Sequence, residues 1–316
     1  MSRLPIHAVA VFGLFIAACG GPEPAESVCT TGTDLSEIPA AHLAAVTKYT
    51  TVNTTYGVVV CTEDADGDGA ADFMIIESTN RPDHESYYFD GANDNFEDFD
   101  FETNIYKYAA AYVDQQPHSA GNNMIEEQLI VMKMPITPVE ATTKSATTFG
   151  AIGLALNGVA FFNEAAAPGD EITDELFTFD QCSGHPQQQG MYHYHVDPVC
   201  LIRDLGGSVV TDTIAVGDNT YEWIEDDGSN GNLLLGFLMD GYPVYGPVGD
   251  QETDCDGTPV SADTIDEYNG HVHCTDDFAD PVFHYHVKTA EHGATGTHVF
   301  WITDEVYYGE PGVVDQ

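Results

Sequence analysis

The sequence predicts a mainly β protein whose single domain is built of two β-rich repeats with long acidic loops. Short apolar runs rich in β-branched residues alternate with polar turns, which is typical of strands. Helical periodicity is weak and is confined to residues 35–48. One order of motifs also occurs twice in the second half of the chain, which indicates a duplicated unit.

The first strands are predicted at residues 58–61, 73–76 and 128–134. Between the first two lies an Asp-rich and Gly-rich loop. Alternating aspartates bring hard oxygens together, and Ca²⁺ binds six to eight such oxygens. Flanking strands and Ile75 at the twelfth position argue against an EF-hand. We expect a short calcium loop, with a solvated acidic turn as the alternative; its residues are Asp64, Asp66, Asp68, Ala70 and Asp72.

Two further acidic stretches are predicted to be loops. Residues 91–102 are acidic and aromatic and are expected at the surface. Residues 218–232 are acidic and Gly-rich, and we interpret them as an insertion between the two repeats.

Each repeat has three motifs in the same order. The first is a predicted hairpin, at residues 153–162 and 236–245, with an Asn-Gly or Asp-Gly turn. Asp-x-x-x-Gly-His follows, at 180–185 and 266–271, and then His-Tyr-His, at 193–195 and 284–286. We expect the two halves to pack about an approximate twofold axis that brings the two triplets together.

The triplets predict a transition-metal site. On a strand, successive side chains point to opposite faces, so each triplet aims both imidazoles one way and its tyrosine the other. Imidazole suits copper and zinc. We therefore expect one ion, copper or zinc, held by these ligand candidates: His193, His195, His284 and His286, with His185 and His271 next in line.

The residues beside these ligands have expected roles as well. Asp180 and Asp266 could add a carboxylate or orient the ligands, and Tyr192, Tyr194 and Tyr285 are expected next to the site. The sequence leaves open a hydrogen-bonded core of His and Tyr without metal. The remaining histidines carry no ligand role: His273, His292 and His298 are expected at the surface or beside the ligands, and His84 and His118 are unassigned.

The N-terminus has the layout of an export signal. Residues 1–18 read as a lipoprotein signal peptide that ends before Cys19, which we expect to be acylated; a signal cleaved elsewhere is the alternative. Because Gly20 follows Cys19, the resemblance to bacterial lipoproteins implies the outer membrane or cell surface. Residues 19–45 are predicted as tether and 46–316 as β domain, with N-terminal strands over 46–140 and the duplicated core over 141–316.

Six further cysteines predict three disulfides in an exported chain. Six cysteines allow fifteen pairings, and sequence alone does not choose among them. Our prediction pairs sequence neighbours: Cys29 with Cys61, Cys182 with Cys200, and Cys255 with Cys274.

Eight Lys and Arg against 52 Asp and Glu give a formal net charge of −44. Such a surface repels nucleic acid and anionic lipid headgroups, while it raises the local concentration of cations. The expected partners are therefore metal ions. The acylation expected at Cys19 adds the lipid of an outer membrane.

The region around the first triplet resembles the YHYH domain proteins. Residues 192–195, preceded by 184–187, carry the resemblance, which extends to residues 152–159, 235–237, 240–247 and 269–271, and faintly to 81–84. Phe283 and Tyr268 depart from the pattern. The resemblance implies a secreted or surface protein. Three functions stay open: a metal-binding lipoprotein, a metal-dependent enzyme of unknown substrate, and a calcium-stabilised structural or adhesion module.

Overall fold

A computed structural model describes residues 26–84, 86, 88–89, 123–166, 175, 178–216, 219–247, 252–261, 264–292, 297–303 and 305–315. Its elements in chain order are α1 (Ala40–Val52), β1 (Val58–Glu63), β2 (Phe73–Ser78), β3 (Ile130–Pro135), β4 (Gly153–Ala155), β5 (Ala160–Phe161), β6 (Gly184–Pro186), β7 (Tyr192–Tyr194), α2 (Val199–Asp204), β8 (Val209–Val216), β9 (Asn219–Asp226), β10 (Leu234–Leu238), β11 (Pro243–Tyr245), β12 (Gly270–His273), β13 (Val282–His286), β14 (Lys288–His292), β15 (Thr297–Trp301) and β16 (Val313–Asp315). The predicted mainly β class and single domain are confirmed.

The N-terminal strands form a four-stranded antiparallel sheet in the order β1-β2-β3-β16. β1, β2 and β3 lie where strands were predicted. Helix α1 starts directly after Pro39, which suits a helix start because proline has no N–H to leave unpaired. The helix packs its buried Tyr49 on the second sheet, where the Tyr49 hydroxyl donates to the Leu154 carbonyl at 2.6 Å.

The second sheet has eight strands in the order β12-β13-β11-β10-β4-β5-β7-β6. From its central antiparallel pair, β4 and β10, each half runs outward in the same way. An antiparallel hairpin comes first, then a parallel partner, then an antiparallel edge strand. The two halves therefore have the same strand order and the same pairing sense.

Both predicted hairpins form, with the expected glycines in the turns. Gly158 has φ of 82° and Gly241 has φ of 83°, a left-handed backbone that glycine adopts readily. Each glycine follows the polar residue, Asn157 or Asp240, that was predicted to start the turn. These two turns set the register that orders the rest of each half.

The prediction that residues 218–232 form a loop is wrong for residues 219–226. Residues 219–226 form β9, which pairs with β8 in a separate two-stranded sheet. Thr220, Tyr221, Trp223 and Ile224 make up half of β9, so strand-forming residues outweigh the charge in setting the backbone. The prediction of an insertion agrees with its position outside the eight-stranded sheet.

All three predicted disulfides are present: Cys29–Cys61, Cys182–Cys200 and Cys255–Cys274. Cys29 and the start of α1 lie within the range predicted as tether, and both belong to the folded structure. The signal sequence, Cys19, residues 91–102 and His118 lie outside the described residues. Within the described ranges, the structure has no helix of the length and apolarity needed to span a membrane.

Candidate metal centres

In each half, two neighbouring strands bring histidines onto one face by their register. On β6 and β7, His185 lies opposite His193, and on β12 and β13, His271 lies opposite His284. Side chains of directly opposed residues point to the same face of a sheet. The last histidine of each triplet lies two residues further along the chain, so it shares that face.

The first cluster joins three buried histidines. The Nε2 atom of His193 lies 3.0 Å from Nε2 of His185 and 3.0 Å from Nε2 of His195. A Glu175 carboxylate oxygen lies 3.5 Å from Nε2 of His185 and 3.4 Å from Nε2 of His195. Phe162 stacks on the His193 ring, with centroids 3.9 Å apart, and limits its rotation.

The second cluster joins four buried histidines and a buried carboxylate. His271 Nε2 lies 3.0 Å from His286 Nε2 and 2.8 Å from His273 Nε2. Glu252 oxygens lie 3.1 to 3.9 Å from the four Nε2 atoms. A cavity of about 530 Å³, lined in part by His271, His273 and several polar side chains, gives access from solvent.

The spacing of these nitrogens is close to that of ligands of one ion. Nitrogens bound about 2.0–2.1 Å from one tetrahedral Zn²⁺ lie about 3.3 to 3.4 Å from one another. The shortest separations in the two clusters, 2.8 to 3.0 Å, are a few tenths of an ångström shorter. The ligand atoms of His185, His193 and His195 lie within 4.8 Å of one another, as do those of Glu252, His271, His273 and His284, so each set is compact enough to share an ion.

The contacts of the Nδ1 atoms determine which ring nitrogen of each imidazole carries the proton. Five Nδ1 atoms face backbone carbonyls, and a carbonyl only accepts, so each of these Nδ1 atoms carries the proton. The other two face threonine hydroxyls. The contacts are His193 with Met191, His195 with Asn163, His273 with Cys274, His284 with Val282, His286 with Gly246, His185 with Thr178, and His271 with Thr264. The five carbonyl-bound rings thus aim bare Nε2 lone pairs into the clusters.

Burial keeps several of these rings neutral. Burial and the neighbouring His195 lower the pKa of His185 to about 3, although Glu175 opposes the shift. Burial and the nearby histidines lower the pKa of His193, and burial lowers the pKa of His284 to about 4. Burial would raise the pKa of Glu252, but its contacts with the surrounding histidines outweigh burial and lower it. At neutral pH the second cluster therefore offers an uncharged His284 imidazole and an ionised Glu252 carboxylate.

The expectation that the two triplets converge on one ion is wrong. β7 and β13 are five strand spacings apart in the sheet, about 24 Å at the usual spacing of about 4.8 Å. The hairpin strands β4 and β10 meet at the centre, which puts the triplets toward opposite edges. His193 and His195 thus belong to one cluster with His185, while His284 and His286 belong to the other with His271.

The two aspartates predicted beside the site accept hydrogen bonds within turns and are not metal ligands. Asp180 Oδ1 accepts the N–H of Cys182 and of Gly184, and it also accepts the Tyr192 hydroxyl at 2.8 Å. Asp266 Oδ1 accepts the N–H groups of Tyr268 and Gly270 in the matching turn. The alternative in which these aspartates supply the metal carboxylate is therefore wrong.

The tyrosines of the triplets point away from the clusters, as the alternation of a strand requires. The Tyr194 hydroxyl contacts Asn157 at 3.1 Å and His84 at 3.1 Å. The Tyr285 hydroxyl donates to Asp240 at 2.5 Å. Each triplet tyrosine thus bonds the turn residue of its own half, and the bond anchors the triplet strand from the back of the sheet.

An aromatic ring precedes each triplet and packs over the glycine of the Gly-His motif. A Cβ at Gly184 would overlap the Tyr192 ring, and a Cβ at Gly270 would overlap the Phe283 ring. Phe283 therefore makes over Gly270 the contact that Tyr192 makes over Gly184. The glycine in each Gly-His motif is required by the close approach of the ring.

Sequence reasoning missed three members of the clusters. His273 was expected at the surface or beside the ligands, yet it lies at 5% exposure in the second cluster. The signal was present, because His271 and His273 alternate on a strand as the triplet histidines do. Glu175 and Glu252 carry no local signal; each lies in the connection that precedes the Gly-His strand of its half. His292 and His298 lie on β14 and β15.

The predicted calcium loop folds as a tight turn at the surface. Ligand atoms of Asp64, Asp66 and Asp72 lie within 4.8 Å of one another and are exposed. Asp64 also accepts backbone N–H groups of Gly67 and Gly69. Calcium binding by this loop stays a prediction.

The comparison with protein families gives one match. The family model described as YHYH protein matches residues 131–264. The predicted resemblance to the YHYH domain proteins is confirmed over these residues. The match covers the whole first cluster and Glu252, and it ends before the four histidines of the second cluster. No curated protein and no solved structure matches the chain.

Proposed function

We propose that this protein binds two transition-metal ions, copper or zinc, one in each half of the eight-stranded sheet, for metal capture or handling. The observation that carries the proposal is the convergence of bare Nε2 lone pairs on rings whose Nδ1 protons are held by backbone carbonyls. Metal-ligating histidines typically donate their other ring N–H to a carbonyl or carboxylate in this way.

A hydrogen-bonded histidine core without metal explains the clusters less well. The bare Nε2 atoms of His193 and His195 lie 3.0 Å apart and repel unless a proton or a metal ion lies between them. A shared proton would require a charged imidazole, and burial lowers the pKa of His193 well below neutral. In the second cluster, His284 Nε2 and Glu252 Oε2 are buried without a hydrogen-bond partner, which an ion would remedy.

The donor sets favour copper and zinc among metal classes. Imidazole with one carboxylate suits Zn²⁺ and Cu²⁺, whereas Ca²⁺ and Mg²⁺ prefer oxygen ligands throughout. The net charge of −44 further favours the approach of cations. Acylation of Cys19 and attachment to the outer membrane or cell surface belong to the same proposal, because a surface protein meets metal outside the cell.

Metal analysis of the intact protein tests the proposal. Protein purified without added metal and then dialysed against Zn²⁺ should hold two zinc ions outside the acidic loop of residues 64–72. Added Ca²⁺ displaces zinc from that loop, so the loop does not contribute to the count. His193→Ala with His195→Ala should remove one ion, and His284→Ala with His286→Ala should remove the other. The control is His42→Gln, because His42 packs on Phe278 away from both clusters. Zinc content that none of the histidine pairs changes would refute the proposal.

A further inference from the structure

The two clusters differ at one corner of an otherwise shared arrangement. In the second half, His271 on β12 lies opposite His284 on β13, while His273 and His286 lie at the two ends of a staggered row of four imidazoles. In the first half, the position that corresponds to His273 is Gln187, two residues after His185.

Gln187 is not a substitute ligand. Its side-chain oxygen accepts the N–H of Gln189 at 2.9 Å, so it closes the turn between β6 and β7. The first cluster therefore has three imidazoles where the second has four. Because the strands of the two halves are arranged alike, this difference in the number of imidazoles comes from one position, His273 in the second half and Gln187 in the first.

The carboxylates of the two clusters differ in burial. The Glu252 side chain is 3% exposed, whereas the Glu175 side chain is 22% exposed. Coulomb attraction between a carboxylate and a metal ion is screened less when the carboxylate is buried. Glu252 should thus stabilise a bound cation more than Glu175 does.

A disulfide also holds the second donor set in place. Cys255 follows the Glu252 segment and Cys274 directly follows His273, so their bond ties the carboxylate arm to the strand that carries the fourth histidine. The corresponding bond in the first half, Cys182–Cys200, spans the histidine strands and does not involve the segment that carries Glu175. Donors fixed before binding lose less conformational entropy on binding.

We propose that the second cluster is the tight site that fills first, that the first cluster is a weaker site that exchanges its ion, and that the additional imidazole of His273 determines this ranking. The ranking rests on the proposed function, since it orders two sites that must both bind metal. A protein of this kind would keep one resident ion and pass on the other. The ion passed on has the chemistry of Zn²⁺ or Cu²⁺ bound by three imidazoles and one carboxylate.

A reciprocal exchange at the differing corner tests the ranking. Full-length protein is titrated with Zn²⁺ in competition with a chromophoric chelator, in wild type, His273→Gln and Gln187→His. Wild type should bind in two phases, and the tight phase should be missing in the His284→Ala, His286→Ala variant. His273→Gln should weaken the tight phase by roughly tenfold or more, since even an outer partner of a metal-bound histidine contributes that much.

Co²⁺ loading supplies a second measurement that does not depend on affinity. The visible absorption of Co²⁺ depends on the number and geometry of its donors, so His273→Gln should change the bands of the second cluster. Gln187→Ala serves as the matched control for Gln187→His, because it removes the turn contact without adding a ligand.

The outcomes separate the two claims. Two zinc ions bound with equal affinity, a tight phase that is lost with the first cluster, or an unchanged titration and Co²⁺ spectrum in His273→Gln would overturn the ranking while the proposed function stands. A wild-type chain that binds no Zn²⁺ would overturn both.

Discussion

The two halves of the eight-stranded sheet place histidines by the same backbone and yet build different centres. In both, a Gly-His strand pairs antiparallel with a triplet strand, and a connection ahead of the Gly-His strand supplies a glutamate. The first half has three imidazoles and a half-buried carboxylate. The second half has four imidazoles and a buried carboxylate. Strand register therefore determines where a metal ion can bind, while single residues at strand ends determine how many donors the site offers.

The backs of the two triplets differ in charge. In the first half, neutral Asn157 contacts the Tyr194 hydroxyl. In the second half, Asp240 accepts the Tyr285 hydroxyl and the Gly309 N–H. The same structural task is thus done by an amide in one half and by a buried acid in the other, so the two halves should respond differently to pH.

The largest expected effect is stabilisation by metal at both centres. A site filled at one hundred times its dissociation constant adds about 2.7 kcal/mol to the free energy of unfolding, so two sites add about 5 kcal/mol. Denaturant unfolding with and without Zn²⁺ measures this, and the pair His193→Ala, His195→Ala should remove about half. Equal stabilisation by Zn²⁺ of a variant that lacks all four triplet histidines would place the zinc elsewhere.

Next in size is the loss of one disulfide. The two bonds close loops of similar length, with separations of 18 and 19 residues, so Cys182→Ser, Cys200→Ser and Cys255→Ser, Cys274→Ser should each lower stability by about 3 kcal/mol. Their effects on metal should differ. Zinc affinity of the second cluster should fall only in the Cys255→Ser, Cys274→Ser variant; a similar fall in both variants would show that the bonds act through general stability.

Asp240 should make the stability of the second half depend on pH. Burial raises its pKa to about 6, whereas the unfolded value is 3.8. Between these values the folded state binds more protons than the unfolded state, so stability falls as pH rises from about 4 to about 6 and is then level.

Asp240→Asn removes this dependence. The free energy of unfolding of the variant minus that of wild type should rise by on the order of 3 kcal/mol between pH 4 and pH 7. The matched control is Asn157→Asp, which should introduce a fall with pH in the first half. A difference between Asp240→Asn and wild type that stays constant over this range would mean that Asp240 is ionised at pH 4.

The smallest expected effect compares the two triplet tyrosines. Tyr285→Phe leaves a buried acid without one of its donors and should cost on the order of 1–3 kcal/mol. Tyr194→Phe removes the contacts with the neutral Asn157 amide and with His84, and it should cost about 1 kcal/mol. Thermal unfolding of the two variants at pH 7 measures the contrast, and a larger loss in Tyr194→Phe would reverse it.

Much of the fold follows from local signals. The hairpins follow from Asn157-Gly158 and Asp240-Gly241, because left-handed turn residues have few alternatives. The strand periodicity placed the triplet histidines on one face, and the spacing of the cysteines agreed with the three bonds. These features depend on residues that are close in sequence.

The position of the triplets relative to each other could not be predicted in this way. The repeated motifs indicate two matching halves, but they do not indicate which strands meet at the centre. Gly153 and Gly236 let the hairpin backbones approach closely, since a Cβ at either would overlap the facing strand, and this seam separates the triplets. Glu175 and Glu252 were missed for a similar reason, because they reach the histidines only through the tertiary fold.

The distance between two bound ions tests the central claim most directly. Pulsed dipolar electron paramagnetic resonance on protein loaded with two equivalents of Cu²⁺ reports the copper-to-copper separation. The centres lie between β6 and β7 and between β12 and β13, six strand spacings apart, which predicts two coppers per chain and a separation of about 29 Å. A single copper per chain shared by both triplets, or two coppers only a few ångströms apart, would contradict the account.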